Sequence, residues 1–158
     1  MTVESYIKAN ESLRLDAYDD ATGKPILPGH AIAGTLTNGY GHAGPDVFPG
    51  QTITPAMAEA WFQHDLAAAL RGAIASLGNE AWLKLDAARR CALTDMCFEL
   101  GEYGLSGFHK MLAAIRAGDW EMAAAEMKAS KYYAQVPSRA ERNRQIMLAG
   151  DGPMGFVA

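Results

Sequence analysis

The chain has 158 residues, is 49% hydrophobic and carries a formal net charge of −4 at pH 7. That supports one globular unit with a substantial core, divisible into two lobes. No apolar run approaches the ~18 residues of a membrane-spanning helix, and an acidic chain without a recognised binding motif argues against nucleic acid as a partner.

In chain order, residues 3–10 read as a short helix with Val3, Tyr6 and Ile7 turned inward. The start of the chain lacks the basic and apolar regions of a signal peptide. Glu11 falls at the helix end. From 13 to 50 the character changes: Leu13, Leu15 and Ala17 alternate, and prolines and glycines punctuate the chain, which predicts a small β lobe. Asn38-Gly39 is a hairpin signal.

Helical spacing returns after Thr54-Pro55, an N-cap followed by proline at the first helical position. Phe62, Leu66, Leu70, Ala73 and Leu77 recur on one face. Asp86 can cap the next helix. Between Cys91 and Phe98 apolar residues appear on nearly every face, the pattern of a central buried helix. Gly101, Gly104 and Gly107 are expected to break it. A helix carrying Phe108, Met111, Leu112 and Ile115 should end at Gly118. Asp119 can start another with Trp120, Ala124 and Met127. Ser138-Arg139-Ala140-Glu141 reads as a capping box opening the last helix.

Cys91 and Cys97 are the only cysteines. Six residues apart in a helical segment, their Cα atoms should lie ~9 Å apart along the axis, too far for a disulfide. They read as small buried apolar residues in a chain that folds reduced. Residues 128–144 hold Lys128, Lys131, Arg139, Arg142 and Arg144 against Glu141 alone. This basic patch is either a surface for an anionic polymer or a solvated face with a structural ion pair.

Two carboxylates on short elements can converge on one cleft. A pair of acids held apart by one water is the standard apparatus for cutting a glycosidic bond. Glu11, at the negative end of a helix and expected between the lobes, would have its pKa raised, which suits a general acid. Taken singly, Glu11 reads more simply as a capping or ion-paired glutamate, and Asp20 as a turn acid bonding its own backbone. Thr37 alone is an ordinary strand residue, and His42 a satisfied structural histidine.

In combination these residues carry a resemblance. Asn10-Glu11-Ser12-Leu13-Arg14-Leu15-Asp16-Ala17-Tyr18-Asp19-Asp20, followed by Thr37-Asn38-Gly39-Tyr40-Gly41-His42, resembles the catalytic segment of the phage-type lysozymes, glycoside hydrolases of family 24. The likeness continues through Leu85-Asp86-Ala87-Ala88-Arg89-Arg90, Phe98-Glu99-Leu100-Gly101-Glu102 and the run from Ser130 to Ala140.

The resemblance implies an α+β, mostly α fold: a lysozyme-like domain over 1–158. Its N-terminal helix would cover about 3–11, its β lobe about 12–52 and its helical lobe about 53–150, with the active-site cleft between lobes. It implies that Glu11 is the general acid, that Asp20 activates or orients a water, and that Thr37 helps hold it for an inverting reaction. Arg139 would pair with the catalytic glutamate, His42 and Asp65 would form a structural ion pair, and Phe98 and Tyr40 would contact sugar. Met111 and Glu126 stand at cleft positions with altered chemistry. The implied substrate is peptidoglycan and no metal or organic cofactor is expected. The implied protein is a monomeric endolysin made in the infected host's cytoplasm. It would not insert in membranes and would reach the wall through a separate holin. The absence of a wall-binding module in the sequence suits a thin Gram-negative wall. A non-catalytic wall-binding module, favoured had Glu11 been lost, and a bacterial toxin or effector with the same domain are the alternatives.

One departure stands out. Asp20 and Thr37 lie seventeen residues apart, much farther than in the family pattern. The extra Pro25–Gly34 either lengthens the hairpin or forms a loop over the cleft. As a loop without core residues it should be removable while the helical lobe stays folded.

Overall fold

The computed structural model describes residues 1–151; the last seven residues of the expected 1–158 domain lie outside the described part. The element order is α1 (Val3–Asn10), β1 (Arg14–Asp19), β2 (Leu36–Gly39), α2 (Pro55–Leu77), α3 (Asn79–Leu83), α4 (Ala87–Ser106), α5 (His109–Ala117), α6 (Trp120–Lys128), α7 (Lys131–Gln135) and α8 (Pro137–Ala149). The fold is α+β and mostly helical, with one two-stranded antiparallel sheet. The chain divides into two compact units, Lys8–Asp65 and Met1–Ile7 together with the residues from Leu66 onward.

In the first unit, β1 pairs with β2 so that Tyr18 faces Thr37 and Asp19 faces Leu36, and the register shifts between Arg14 and Tyr18. β1 is also bonded away from β2: the Ala17 amide donates to the Gln51 carbonyl, the Ile53 amide to Leu15, and the Ile26 amide to Ala17. Its core is small and includes Ala17, Ile26, Val47, Ile53, Ala58 and Phe62. The expected alternation is only half kept. Ala17 is buried, but Leu13 lies before the strand and is exposed, and the buried position after Ala17 is an acid, Asp19.

The Asn-Gly signal makes a tight turn. Asn38 and His42 exchange both backbone hydrogen bonds, at 2.9 and 2.8 Å. Gly39 and Gly41 take φ of +63° and +84° there, values that exclude most side chains. The segment from Pro25 to Gly34 is not a loop without core residues, and that part of the expectation needs correction. Ile26 sits in the core, and its carbonyl accepts the Gly50 amide at 2.7 Å.

The helical unit carries the larger core. Cys91, Ala92, Leu93, Thr94, Asp95, Met96 and Cys97 of α4 are all buried. α4 packs on α8, α8 on α6, and α6 on α5. Capping follows the sequence at three helices. Thr54 Oγ1 accepts the Met57 amide at the start of α2, Asp86 accepts the Arg89 amide and Asp119 the Met122 amide. Gly118 closes α5 in the left-handed conformation.

One expectation holds in part and one fails. Gly101, at φ 70° and ψ 169°, breaks the helical path of α4 and Gly107 caps its end, while Gly104 lies within the stretch that resumes to Ser106 with Leu105 buried. The capping box at Ser138 does not form. Pro137 starts α8, supplying a preset φ where no amide is needed, and Glu141 binds Tyr133, Arg144 and Gln145 instead.

Cys91 and Cys97 are free thiols. Burial pushes Cys91 up to about 12 and Cys97 to about 11, so both stay protonated and inert.

Candidate active site

Glu11, Asp20, Thr37 and Tyr40 all belong to the unit Lys8–Asp65. Glu11 is a half-buried residue on the bend that follows α1. Its Oε2 approaches the tight turn so closely that a Cβ on Gly41 would lie 3.3 Å away. Positive φ and the carboxylate thus both call for glycine at 41. The hexapeptide's second glycine is part of the seat of Glu11.

Asp20 lies on the turn just past β1 and is exposed. Its amide donates to the Thr35 carbonyl at 3.0 Å, and its Oδ1 accepts the Thr35 amide at 2.6 Å. Thr37 is 4% exposed on β2, and its Oγ1 donates to the same Thr35 carbonyl at 3.1 Å. Thr35 therefore ties the acid and the hydroxyl into one hydrogen-bonded cluster, despite the long separation in sequence.

Tyr18 was missed by sequence reasoning. It stands opposite Thr37, with the Arg14 guanidinium 3.9 Å over its ring. Burial raises its pKa first; the Arg14 charge opposes this, and the negative charges of Glu11 and Asp20 add to it. Both carboxylates thus oppose ionisation of one phenol.

Asp19 was also missed. Only 1% exposed, it accepts backbone N–H groups from Ala33 at 2.8 Å, Gly34 at 2.9 Å and Ala21 at 3.0 Å. These bonds, Ala33 foremost, hold its carboxyl below the usual carboxylate range. The available signal was an acid on the inward-facing side of an alternating strand, which has to find donors if it is buried. Asp19 also lines an open pocket of about 820 Å³ with Ile26, Leu27, His30 and Ile32. Glu11, Asp20 and Thr37 do not line that pocket.

His42 takes the structural role. Its Nδ1 lies 2.7 Å from Asp65 and its Nε2 3.1 Å from Asp46, and the ring stacks on Trp61 at 4.5 Å. Burial would lower its pKa, but the hydrogen bonds from Asp65 and Asp46 prevail and raise it. Tyr40 is half-buried and meets the Phe62 ring edge-on at 5.3 Å.

The remaining candidates belong to the helical unit. Phe98 on α4 and Glu126 on α6 are half-buried. Met111 on α5 is 1% exposed, so it packs in the helical core instead of offering a face to a sugar. Arg139 on α8 is buried and grips Asp95 with two hydrogen bonds, at 2.9 and 2.8 Å, and Glu99 with a third. Asn143 donates to Asp95 at 2.6 Å and to the Tyr132 hydroxyl at 2.9 Å, and the Tyr6 hydroxyl donates to Asn143 at 2.8 Å. With Arg144 paired to Glu141 as well, Arg139 and Arg144 of the basic patch serve ion pairs within the protein.

Comparison with known proteins decides the family. The model of the family described as phage lysozyme matches residues 8–145. The chain belongs to the phage lysozyme family, a family of glycoside hydrolases. Its small sheet followed by many helices is the α+β, lysozyme-like arrangement. Among relatives, the pre-baseplate central spike protein Gp5 of Enterobacteria phage T4 is 31% identical over 96% of this chain and 28% of its own length. The peptidoglycan hydrolase gp36 of Pseudomonas phage phiKMV is 34% identical over 83% of the chain and 13% of its own length. "Probable T4-type lysozyme 1" of Dictyostelium discoideum is 27% identical over 94% of the chain and 95% of its own length. This phage-lysozyme chain thus spans under a third of the two phage proteins. Among its described residues no helix is long and apolar enough to cross a membrane.

Proposed function

We propose that this chain is a muramidase that hydrolyses the β-1,4 bond between N-acetylmuramic acid and N-acetylglucosamine in peptidoglycan, by inversion, in the service of host-cell lysis. The observation that carries the reading is that one compact unit of a phage-lysozyme chain holds a half-buried glutamate against the Gly41 turn and an exposed aspartate and a threonine hydroxyl tied together through Thr35.

Glu11 gives its proton to the glycosidic oxygen as the bond to the anomeric carbon breaks. A water on the opposite face supplies the new oxygen, and Asp20 takes that water's proton. Thr37, with its own hydrogen directed to Thr35, keeps lone pairs with which to accept from the water. The first product is then the α-anomer. Tyr40, Phe98, Glu126 and Arg139 serve the binding of the glycan. The two units work as one lysozyme domain, a monomer without metal or organic cofactor, synthesised in the host cytoplasm and admitted to the wall by a separate holin.

The test is a turbidity assay on purified peptidoglycan, comparing wild type with Glu11→Gln. General acid catalysis is typically worth ~10²–10⁴-fold, so clearing should nearly vanish while the far-UV circular dichroism stays unchanged. Clearing by the folded variant within about tenfold of wild type would remove Glu11 from its role. Proton NMR of fresh product settles the stereochemistry, since a β-anomer appearing first would displace Asp20 and Thr37 from the water.

A second reading is favoured by the spike-protein relative, which resembles nearly the whole of this chain. The same chemistry would then serve passage through the wall during infection. Mass spectrometry of purified virions separates the two: the chain would be abundant in particles under this reading and absent from them under the first.

A further inference from the structure

We propose that Asp19 and Gly34 are positioning residues for Asp20, which makes the segment Pro25–Gly34 part of the active-site framework. The inference rests on the reading of Asp20 as the residue that handles the water.

Asp20 is exposed, so packing does little to fix its carboxylate. What fixes it is backbone. The Asp19 Oδ1 accepts from the amides of Ala21 and Gly34, and Oδ2 accepts from Ala33. A turn acid ordinarily bonds two residues ahead, as Asp19 does with Ala21. The bonds to Ala33 and Gly34 go beyond that habit, reaching fourteen and fifteen residues along the chain. One buried carboxylate therefore joins the residue after Asp20 to the residue before Thr35. Thr35 in turn supplies the N–H that holds Asp20 Oδ1.

Gly34 completes the seat. A Cβ there would stand 2.1 Å from Asp20 Oδ1, 2.6 Å from the Ala21 Cβ and 2.9 Å from the Ala21 nitrogen. The φ of Gly34 is not among the positive values, so only these neighbours oppose a side chain. Asp20 is packed on the bare backbone of the segment's last residue. The hydroxyl of Thr37 shares the Thr35 carbonyl with the Asp20 amide, so a shift at 33–35 also disturbs the acid's geometry relative to the hydroxyl.

Two variants reach Asp20 by different routes. Asp19→Asn keeps shape and one oxygen but sets an amide donor against the Ala33 N–H. Gly34→Ala leaves the Asp19 carboxylate in place and pushes on Asp20 directly. Misplacing a reacting group by about 1 Å can cost ~10²-fold, so both should lower kcat at least about tenfold. The dissociation constant of tri-N-acetylglucosamine and the far-UV circular dichroism should stay at wild-type values. A purely structural role would move binding, folding and kcat together.

Asp20→Asn is measured alongside. If it is inactive while both variants keep kcat within about threefold of wild type, the proposal is overturned and the lysozyme reading stands. Loss of binding and helicity together with kcat in Gly34→Ala also overturns it. If Asp20→Asn itself retains full kcat, the reading of Asp20 fails first and the inference falls with it. Should Asp19→Asn fail to fold, Gly34→Ala alone decides.

Discussion

The two compact units each bury an aspartate almost completely, and they satisfy it in opposite ways. Asp19, in the unit Lys8–Asp65, is held chiefly by the backbone N–H groups of Ala33, Gly34 and Ala21. Asp95, 0% exposed in the helical unit, is held by the Arg139 guanidinium and the Asn143 amide. The first arrangement fixes the path of the chain, because backbone donors cannot be supplied without placing backbone. The second fixes side chains between helices already formed. The small sheet, with its modest core, relies on polar bonds to define a conformation. The helical unit has its conformation from apolar packing, and its polar network selects how α4, α8 and Tyr6 fit together.

That contrast can be broken by experiment. The largest effect on stability is expected from Asp95→Ala, which leaves the buried Arg139 without its principal partner. Breaking a buried pair in this way costs roughly 3–5 kcal/mol, a large part of the ~5–15 kcal/mol that holds a domain together. Urea unfolding followed by circular dichroism should show it. A midpoint unchanged from wild type would mean that the network adds little beyond the apolar core.

Deleting residues 25–34 should act more locally. It removes Ile26 from the smaller core and the Ala33 and Gly34 donors to Asp19. Far-UV helicity should persist while hydrolysis falls, and amide exchange should accelerate in residues 14–24 more than in α4 and α8. Uniform acceleration throughout the chain would show that the smaller unit has no separate stability.

The smallest effect is electrostatic. The pKa of His42 is raised from its ordinary value of 6.5 by Asp65 and Asp46. The stabilisation it adds is therefore complete below 6.5 and is lost as pH rises through the higher folded value. The stability of the wild type should fall slightly across that window, and His42→Gln should flatten the dependence. A wild-type slope of opposite sign would mean that burial outweighs the two carboxylates.

How much of this was legible in the sequence follows the same division. Helical spacing and caps read well where local chemistry decides: Thr54, Asp86, Asp119 and Gly118 all act at helix ends. Ser138 misled because Pro137 already starts the helix one residue earlier. Met111 misled because a position aligned with a cleft says nothing of depth. In the smaller unit the His42–Asp65 pair was expected and is present, but the partners of Asp19 and Asp20 were not foreseen. Nothing local in Asp19-Asp20 tells which acid turns inward, and nothing in Ala33-Gly34 announces a carboxylate packed against it. Those facts depend on pairing across the long Pro25–Gly34 excursion, which short-range patterns do not encode.

The two thiols on α4 turn the helical unit into its own reporter. Cys91 and Cys97 are each 2% exposed and strongly protonated, so an alkylating reagent can reach them only when the surrounding helices part. The labelling rate of the native protein would then time spontaneous opening of that unit, without any probe being engineered into it.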